Sequence, residues 1–494
     1  MKDNLVIFLK RYPCFVFLLP VFFVLHGCTE NYDFVPFKDA VLLTGLYILV
    51  SSAILVPAYF IYRNWHKAAW LTFALMAFHF FFGSMHDGLR KLFPQSFLST
   101  YSFVIPASFC LFFIFAFLLK KRKKTFVLLL YYFNIVFLLL ITIDMVSLLI
   151  KITGKTRIST PSLPKEATPC TDCPTPDFYF IIADEYAGNT ELKDIFLFDN
   201  TAFLTLLQQQ GFHVIEHSKS NYNYTPYSIA STLNMDYLDL TRTEKQPLLA
   251  YTYETIQNNQ LLHFLEQHKY RFYNYTHFDF PGQPAQTAET FLPSKTKLIT
   301  SQTFLSRMEK EISYHLITTL KWEKEIRKSV YFTKKNNELL YQLTIKAPAL
   351  KTKEPKFVVT HLMMPHYPYY FDKNGNEFPF EKLTEGNQNN YNNYIEYLQY
   401  SNKRLLELIA QILKNSSSPP VIILMGDHGF RHFKGPVDTK YYFYNLSTVY
   451  LPGQNYSSFS DSLTNVNLIR TVLNSTFRQQ LPYLKDTAFI MDNP

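Results

Sequence analysis

The stretch "VIILMGDHGF" at residues 421–430 places five apolar residues directly before Gly-Asp-His-Gly. A short apolar run of this kind predicts a buried strand. In an open parallel sheet, ligands bind beyond the carboxyl ends of the strands. Asp427 and His428 are therefore candidates for a functional site at the end of this strand, and the flanking glycines would let other groups approach closely.

Other segments on both sides of this run alternate between strand and helix patterns. Apolar runs predict strands at residues 177–184, 212–218, 270–278, 356–366 and 446–452, and helical spacing occurs at residues 195–211, 261–268, 392–415 and 466–474. Such alternation predicts an α/β domain with a mostly parallel sheet and helices on both faces. Residues 282–353 are rich in Lys, Glu and Thr and form a candidate insertion.

The N-terminal third has the composition of a membrane domain. Apolar runs cover about residues 12–25, 40–62, 68–83, 97–119 and 126–150, and a membrane span needs about 20 residues. We therefore predict a transmembrane helical bundle of about five helices in residues 1–152, a linker rich in Pro and Thr in residues 153–176, and a C-terminal α/β domain in residues 177–494.

Charge separates the same two parts of the chain. Residues 1–157 contain 16 Lys and Arg against 6 Asp and Glu, whereas the remainder contains 32 against 33. The C-terminal part has no basic stripe, which argues against nucleic acid as a partner. With a cytoplasmic N-terminus, the inner loops would carry ten basic residues and the outer loops three. This asymmetry places the C-terminal domain outside the cytoplasm.

Polar groups stand at the ends of several predicted strands. Asp184 and Glu185 follow the first strand, and His361 and His366 follow another. Thr225 begins a helical run and is followed by a proline, so its hydroxyl would lie at a helix N-terminus, where N–H groups favour an anion.

These groups together suit one metal-dependent site. Carboxylate and imidazole ligands favour a divalent ion such as zinc or manganese, and a metal beside Thr225 would make its hydroxyl a nucleophile for phosphoryl or sulfuryl transfer. Each group alone has a simpler interpretation as a loop, a helix cap or a solvated carboxylate. The coincidence of several strand ends favours the site.

Five motifs carry a resemblance to a known group of enzymes: "PDFYFIIADEY", "SNYNYTPYSIASTLNMDYL", "HLMMPHYPYYFD", "YIEYLQYSNKRLLELI" and "MGDHGFR". They resemble, in the same order, the sulfatase-like branch of the alkaline phosphatase superfamily, in particular membrane-bound lipoteichoic acid synthases and phosphoethanolamine transferases. The resemblance covers nearly all of residues 176–490 and implies an alkaline phosphatase-like fold.

The resemblance also implies roles for individual residues. One divalent metal ion would be bound by Asp184, Thr225, Asp427 and His428, with zinc or manganese expected and magnesium or calcium as alternatives. Thr225 would be the nucleophile. His366 would contact the substrate phosphate or the leaving group, and His361 would join it. For Arg431 we expect either an anion contact or a surface role.

Two departures from the family pattern bear on the reaction. Sulfatases carry a Cys or Ser in Cys-x-Pro-Ser-Arg that is converted to formylglycine, but this chain reads Thr-Pro-Tyr-Ser from Thr225. Threonine cannot give that aldehyde, so hydrolysis of sulfate esters is disfavoured. The transferases usually have Glu at the first ligand position, where this chain has Asp184 followed by Glu185. The sequence leaves open whether Glu185 is also a ligand.

The expected function is a phospho-alcohol transferase of the bacterial inner (plasma) membrane with a periplasmic catalytic domain. It would move phosphoethanolamine or phosphoglycerol from a membrane phospholipid donor to a cell-envelope glycan or lipid. The alternatives are a sulfatase-like hydrolase of phosphate, phosphonate or sulfate esters, and an inert glycan-binding domain. A transporter is disfavoured because Asp144 has no charged partner evident in the predicted spans. Cys170 and Cys173 are candidates for a local disulfide.

Overall fold

The computed structural model describes residues 2–32, 35–94, 96–122, 126–154, 167, 173–239, 248–287, 296–309, 327, 330–383 and 386–491. The chain forms two compact units. The first contains Met1–Ile158 and Pro293–Glu323, and the second contains Ser159–Leu292 and Lys324–Pro494. The predicted boundaries at residues 152 and 176 do not anticipate that Pro293–Glu323 belongs to the first unit.

The first unit is helical. Its described helices are α1 (Lys2–Arg11), α2 (Phe15–Glu30), α3 (Phe37–Tyr62), α4 (Trp65–Leu92), α5 (Tyr101–Lys121) and α6 (Val127–Gly154), together with the short α12 (Lys297–Thr300). Among the described residues, four helices are long and apolar enough to cross a membrane, and these are α3 to α6. Large apolar side chains remain exposed along them, among them Leu42, Phe60, Phe113 and Ile143.

The predicted count of five spans exceeds this number by one. Pro13 lies at the start of the first apolar run and separates α1 from α2, because proline interferes with the hydrogen bonds of a continuing helix. The 16 residues of α2 extend about 24 Å at about 1.5 Å per residue. This length is less than the roughly 30 Å of a hydrocarbon core.

The segment around α12 packs on α2 and α4 within the first unit. The backbone N–H of Gly83 donates a hydrogen bond of 2.8 Å to the carbonyl of Gln302, and Arg307 forms an ion pair of 2.6 Å with Asp87. A Cβ atom on Gly83 would lie 2.7 Å from that same carbonyl oxygen. Gly83 therefore permits a backbone approach that a larger residue would block.

Asp144 has an imidazole as its partner within the first unit. Its Oδ1 lies 3.1 Å from Nδ1 of His26, which comes from α2. The sequence could not show this contact, since 118 positions separate the two residues.

A six-stranded sheet forms the core of the second unit. Its strands are β1 (Phe178–Ala183), β2 (His213–Val214), β3 (Arg271–Tyr275), β4 (Lys356–Leu362), β5 (Val421–Gly426) and β6 (Ser447–Tyr450). The order across the sheet is β2-β6-β5-β1-β4-β3. The four strands β5, β1, β4 and β3 are parallel, and at one edge β6 pairs antiparallel with both β5 and β2. The predicted α/β class with a mostly parallel sheet is confirmed.

The second unit also contains helices among its described residues. They are α7 (Asn189–Phe196), α8 (Thr201–Gln209), α9 (Thr225–Asn234), α10 (Leu248–Gln257), α11 (Gln260–Gln267), α13 (Phe332–Lys346), α14 (Tyr391–Asn415) and α15 (Asn465–Phe477). The long α14 buries Leu398, Leu405 and Ile409 at helical spacing, so one face joins the core and the opposite face is polar.

The cysteines fall into two groups. Cys173 is disulfide-bonded, whereas Cys14, Cys28 and Cys110 are free thiols. Cys170, the predicted partner of Cys173, lies outside the described residues.

Candidate active site

The register of the central strands brings the predicted site residues together. Ala183, the last residue of β1, pairs with Gly426 on β5 and with Leu362 on β4. Asp184 and Asp427 come directly after paired residues on adjacent parallel strands, so they leave the sheet at the same level. His361 precedes Leu362 on the third strand of this group.

Asp184 is fully buried, and its two carboxylate oxygens have different surroundings. Its Oδ2 lies 2.8 Å from Nε2 of His361. Its Oδ1 is buried without a hydrogen-bond partner among the described residues. His361 thus contacts the carboxylate of Asp184, which makes it a group that positions Asp184. Its predicted contact with substrate stays a prediction.

Asp427 and His428 lie beside Asp184. Oδ1 of Asp427 accepts a hydrogen bond of 2.9 Å from the backbone N–H of Glu185. Oδ2 of Asp427 lies 3.3 Å from Nε2 of His428 and has no hydrogen-bond partner among the described residues. Nδ1 of His428 lies 2.7 Å from the carbonyl of Gly429. Because a carbonyl can only accept, Nδ1 carries the proton, and the lone pair of the neutral ring is on Nε2.

Thr225 completes this group. It is buried, and its Oγ1 lies 3.2 Å from Nε2 of His428. It is the first residue of α9, with Pro226 in the first turn, rather than the residue that caps the helix. Ser228, one turn further, donates a hydrogen bond of 2.5 Å to the carbonyl of Asp427. This bond fixes the N-terminus of α9 against the end of β5.

The two glycines that flank Asp427 and His428 serve close packing of the backbone. A Cβ atom on Gly426 would lie 2.6 Å from the carbonyl oxygen of Tyr186, and one on Gly429 would lie 2.1 Å from that of Tyr441. A larger residue at either position would force these chains apart. The glycines therefore hold the loop that carries the acid and the imidazole against its neighbours.

Burial and neighbouring charges separate the pKa values of the two aspartates. Burial and the charge of Asp184 raise the pKa of Asp427 to about 6. Burial also opposes ionisation of Asp184, but the charge of His366 and the hydrogen bond and charge of His361 lower its pKa overall. Burial, followed by the charge of Arg431, lowers the pKa of His428 to about 3. Its imidazole is therefore neutral, the form that binds a metal.

These residues fit a divalent metal ion. Asp184, Asp427 and His428 each offer one ligand atom, and the three atoms lie within 4.8 Å of one another. Buried carboxylate oxygens without a partner are unfavourable, and a cation between them would satisfy both. Two carboxylates, an imidazole and the nearby hydroxyl of Thr225 are oxygen and nitrogen donors that zinc and manganese accept. The donor set does not distinguish the two metals.

Glu185 points to a different group of residues. Its backbone is left-handed, with φ of 57°. Its Oε2 lies 3.8 Å from Nε2 of His366, and its Oε1 lies 3.6 Å from Nε2 of His432. The backbone N–H of Arg431 donates a hydrogen bond of 2.9 Å to Oε1. The side chain of Arg431 is mostly buried, with its guanidinium 4.4 Å from the ring centre of Tyr224.

His432 is a residue that the sequence analysis missed. It follows Arg431 in "GDHGFRH", five positions after Asp427. The signal available was a second imidazole on the loop that already carried Asp427 and His428.

Comparison with known proteins identifies the class. The sequence profile of the sulfatase family, described as Sulfatase, matches residues 184–472, which is more than half of the chain. The chain belongs to the sulfatase family, which is a family of enzymes. A comparison with curated protein sequences finds no match.

Several solved structures are similar in fold. The C-terminal periplasmic domain of EptC from Escherichia coli, solved with zinc, is 14% identical, with a TM-score of 0.40, over 64% of this chain and 86% of that one. The integral membrane lipooligosaccharide phosphoethanolamine transferase A from Neisseria meningitidis is 11% identical, with a TM-score of 0.34, over 94% and 95%. A phosphonate monoester hydrolase from Silicibacter pomeroyi is 14% identical, with a TM-score of 0.37, over 63% and 75%. At these scores the likenesses carry no conclusion about activity.

Proposed function

We propose that this enzyme transfers a phospho-alcohol group, phosphoethanolamine or phosphoglycerol, from a membrane phospholipid to an acceptor glycan or lipid of the cell envelope. The observation that carries the proposal is the position of Thr225. Its hydroxyl lies at the N-terminus of α9 and 3.2 Å from Nε2 of His428, beside two buried carboxylates with unpartnered oxygens.

Thr225 is the proposed nucleophile. Its Oγ1 would lose its proton and attack the phosphorus of the donor lipid. The bond to the diacylglycerol oxygen would break, diacylglycerol would leave as the alcohol after that oxygen takes up a proton, and a phosphothreonine diester would form. Asp184, Thr225, Asp427 and His428 would hold a divalent ion, which would lower the pKa of the hydroxyl and withdraw charge from the phosphoryl oxygens. The free N–H groups at the start of α9 would donate to the same oxygens.

The second step determines whether the enzyme is a transferase or a hydrolase. A hydroxyl of the acceptor would attack the phosphothreonine and release Oγ1 of Thr225. Water at this step would give hydrolysis, the alternative predicted from the sequence. Arg431 supports both steps because its guanidinium is mostly buried near Tyr224 and can pair with phosphoryl oxygens. His366 is proposed to act on the same side of the site.

The membrane helices support a lipid donor. Four helices in the described part of the chain are long and apolar enough to cross a membrane, which would keep the enzyme in the bilayer in which a phospholipid diffuses. We propose the bacterial inner membrane as this bilayer, with the catalytic unit on the periplasmic side.

Mass spectrometry of the trapped intermediate tests the function. The purified full-length protein in detergent would be incubated with phosphatidylethanolamine or with phosphatidylglycerol and then digested. We expect a peptide containing Thr225 with the added mass of phosphoethanolamine or phosphoglycerol. No adduct with either lipid, together with release of free phosphate from a simple phosphate ester, would favour the hydrolase.

A further inference from the structure

An apolar cavity of about 320 Å³ lies between the helices α4 and α5 of the first unit. This volume is in the range of sites that bind small molecules. Helix α4 contributes Leu71, Leu75 and Phe78 to the lining, α5 contributes side chains from position 105 to position 116, and Phe304 completes the wall. The proposed reaction gives this cavity no role.

The lining favours an apolar ligand. Nine of the eleven described residues that line the cavity are apolar, and none of the eleven is Asp, Glu, Lys or Arg. The two polar residues are Ser108 and His79. Oγ of Ser108 donates a hydrogen bond of 2.7 Å to the carbonyl of Val104 in its own helix, and the ring centre of His79 lies 5.7 Å from that of Tyr47. Ordered water needs two to four polar partners, which this lining does not supply.

The place of the cavity in the fold identifies the apolar ligand. Both α4 and α5 are long and apolar enough to cross a membrane. Positions 105 to 116 of α5 cover about 16 Å at about 1.5 Å per residue, which is about half of the roughly 30 Å of a hydrocarbon core. The cavity is therefore elongated along the spans, the direction in which the acyl chains of a bilayer lie. Outside the protein at this depth there is hydrocarbon and no water.

The cavity is open to the lipid-facing surface. Phe109 and Phe113 belong to its lining, and their side chains are 55% and 75% exposed. A chain can therefore enter sideways from the bilayer without crossing a polar layer. Its binding would be driven by packing, because lipid tails are as apolar as the lining, and because a cavity without an occupant loses dispersion contacts on one side of each wall.

Phe304 belongs to neither span. Its ring packs edge to face on Phe82, with 5.0 Å between ring centres, and lies 5.3 Å from Phe78. The hydrogen bond from the N–H of Gly83 to the carbonyl of Gln302 holds the segment that carries Phe304 on α4. A chain in the cavity would thus contact both spans and a residue that lies between β3 and β4 in the sequence.

We propose that one acyl chain of a membrane phospholipid occupies the cavity between α4 and α5, in contact with Phe304. The site recognises the chain by its shape and apolar surface and is indifferent to the headgroup, because no Lys or Arg lines it. Binding stabilises the packing of the Phe304 segment on α4. This lipid site goes beyond the proposed function and does not require that the bound lipid is the donor of the transferred group.

Photochemical cross-linking tests the proposal without any measurement of turnover. The full-length protein would be placed in vesicles of phosphatidylethanolamine and phosphatidylglycerol that contain a little phosphatidylcholine with a diazirine near the end of one acyl chain. Phosphatidylcholine is chosen because it is not a proposed donor. After irradiation and digestion with trypsin, we expect an adduct on Phe304 in the peptide of residues 298–307, which lies between the cleavage sites at Lys297 and Arg307. Adducts on the exposed Leu42 and Leu46 of α3 give the reference for contact with bulk lipid.

Variants that fill the cavity complete the design. Ser108→Phe adds a ring to the lining and should abolish the adduct on Phe304, while the adducts on α3 persist. Leu75→Trp, on the α4 wall, should do the same and gives a second reading if Ser108→Phe does not fold, which gel filtration and circular dichroism would reveal. The matched control is Ser102→Phe, the same change at an exposed position of α5 outside the lining, which should keep the adduct on Phe304.

Two outcomes would overturn the lipid site. One is a wild type without an adduct on Phe304. The other is an adduct that both filling variants keep at the wild-type ratio to α3, because Phe304 would then contact bulk lipid only. An adduct on Phe304 in a protein that forms no phosphothreonine at Thr225 would support the lipid site and contradict only the proposed function.

Discussion

The backbone N–H of Glu185 donates a hydrogen bond of 2.9 Å to Oδ1 of Asp427. The two residues follow neighbouring strands, β1 and β5, whose last residues are in register. The bond fixes the orientation of the Asp427 carboxylate and leaves Oδ2 directed toward His428, at 3.3 Å from its Nε2. One hydrogen bond thus links the loop that carries Asp184 and Glu185 to Asp427, a predicted ligand of the metal ion.

Asp427→Asn should prevent binding of the metal ion at the site of Asp184, Asp427 and His428 while preserving the fold. An asparagine keeps the Oδ1 that accepts from Glu185 but replaces the anionic Oδ2 by an amide NH₂, which cannot bind a cation. Elemental analysis of the purified protein should show the loss of one ion per chain. The matched control is Asp438→Asn, at an exposed aspartate, which should retain all its metal. If Asp427→Asn retained all of its metal, Asp427 would not be a ligand of the bound ion.

Thr225→Ala should reduce turnover by roughly 10⁴-fold or more, as expected for removal of a nucleophile, and should abolish the phosphorylated peptide. Thr225→Ser should keep measurable turnover because the hydroxyl remains. The checks are headgroup release from labelled phospholipid and mass spectrometry of the digested protein. Normal turnover in Thr225→Ala would contradict the role of Thr225 as the nucleophile and would favour an activated water molecule instead.

His366→Ala should slow turnover by roughly 10²–10⁴-fold, the span that removal of a catalytic imidazole usually gives. An imidazole at this position would contact the phosphoryl group or give a proton to the departing oxygen. The measurement is kcat for headgroup release, and His217→Ala serves as the control at an exposed position. An unchanged kcat would exclude His366 from the reaction.

The sequence predicted the part of the site that follows from strand ends. Apolar runs locate β1 and β5, and parallel neighbours must release Asp184 and Asp427 at one edge. The proline after Thr225 located the start of α9. These predictions needed only local patterns and the general behaviour of parallel sheets.

Other features depend on contacts that the sequence does not encode locally. Glu185 turns away from Asp184 because of a left-handed backbone, which no residue type at that position signals. His361 contacts Asp184 because β4 lies beside β1, and the order of strands cannot be read from the alternation pattern. Pro293–Glu323 belongs to the first unit because of packing such as that of Gln302 on Gly83, which joins positions far apart in the chain.

The orientation of the chain in the membrane remains a prediction from the asymmetry of ten basic residues against three in its loops. A reporter enzyme that is active only outside the cytoplasm should be active when fused after Arg157 and inactive when fused after Lys124. Antibody detection of both fusions would control for expression. The reverse pattern would place the catalytic unit inside the cell and remove the cell envelope as the source of acceptors.

Glu191 provides a test of electrostatics away from the metal ligands. It is fully buried, and its oxygens accept from the N–H of Phe430 at 3.1 and 3.3 Å. Burial raises its pKa well above the usual value of 4.5, the Phe430 N–H opposes this shift, and the charge of Glu185 adds to it. The folded protein therefore keeps this proton at a pH where the unfolded chain releases it. It follows that the contribution of Glu191 to stability is full below about pH 4.5 and decreases as pH rises toward the folded-state pKa.

Glu191→Gln should remove this decrease of stability with rising pH, because glutamine resembles the protonated acid and can still accept a hydrogen bond from the N–H of Phe430. The variant and the wild type should have similar melting temperatures at about pH 4.5, and the variant should become progressively more stable as pH rises, by up to about 1.4 kcal/mol per pH unit. Thermal unfolding in detergent at pH 5, 6, 7 and 8 measures the difference. Both proteins have the same metal ligands. The difference between their stabilities at each pH is therefore free of the pH dependence of metal binding. A difference that stays constant with pH would show that Glu191 is ionised in the folded protein.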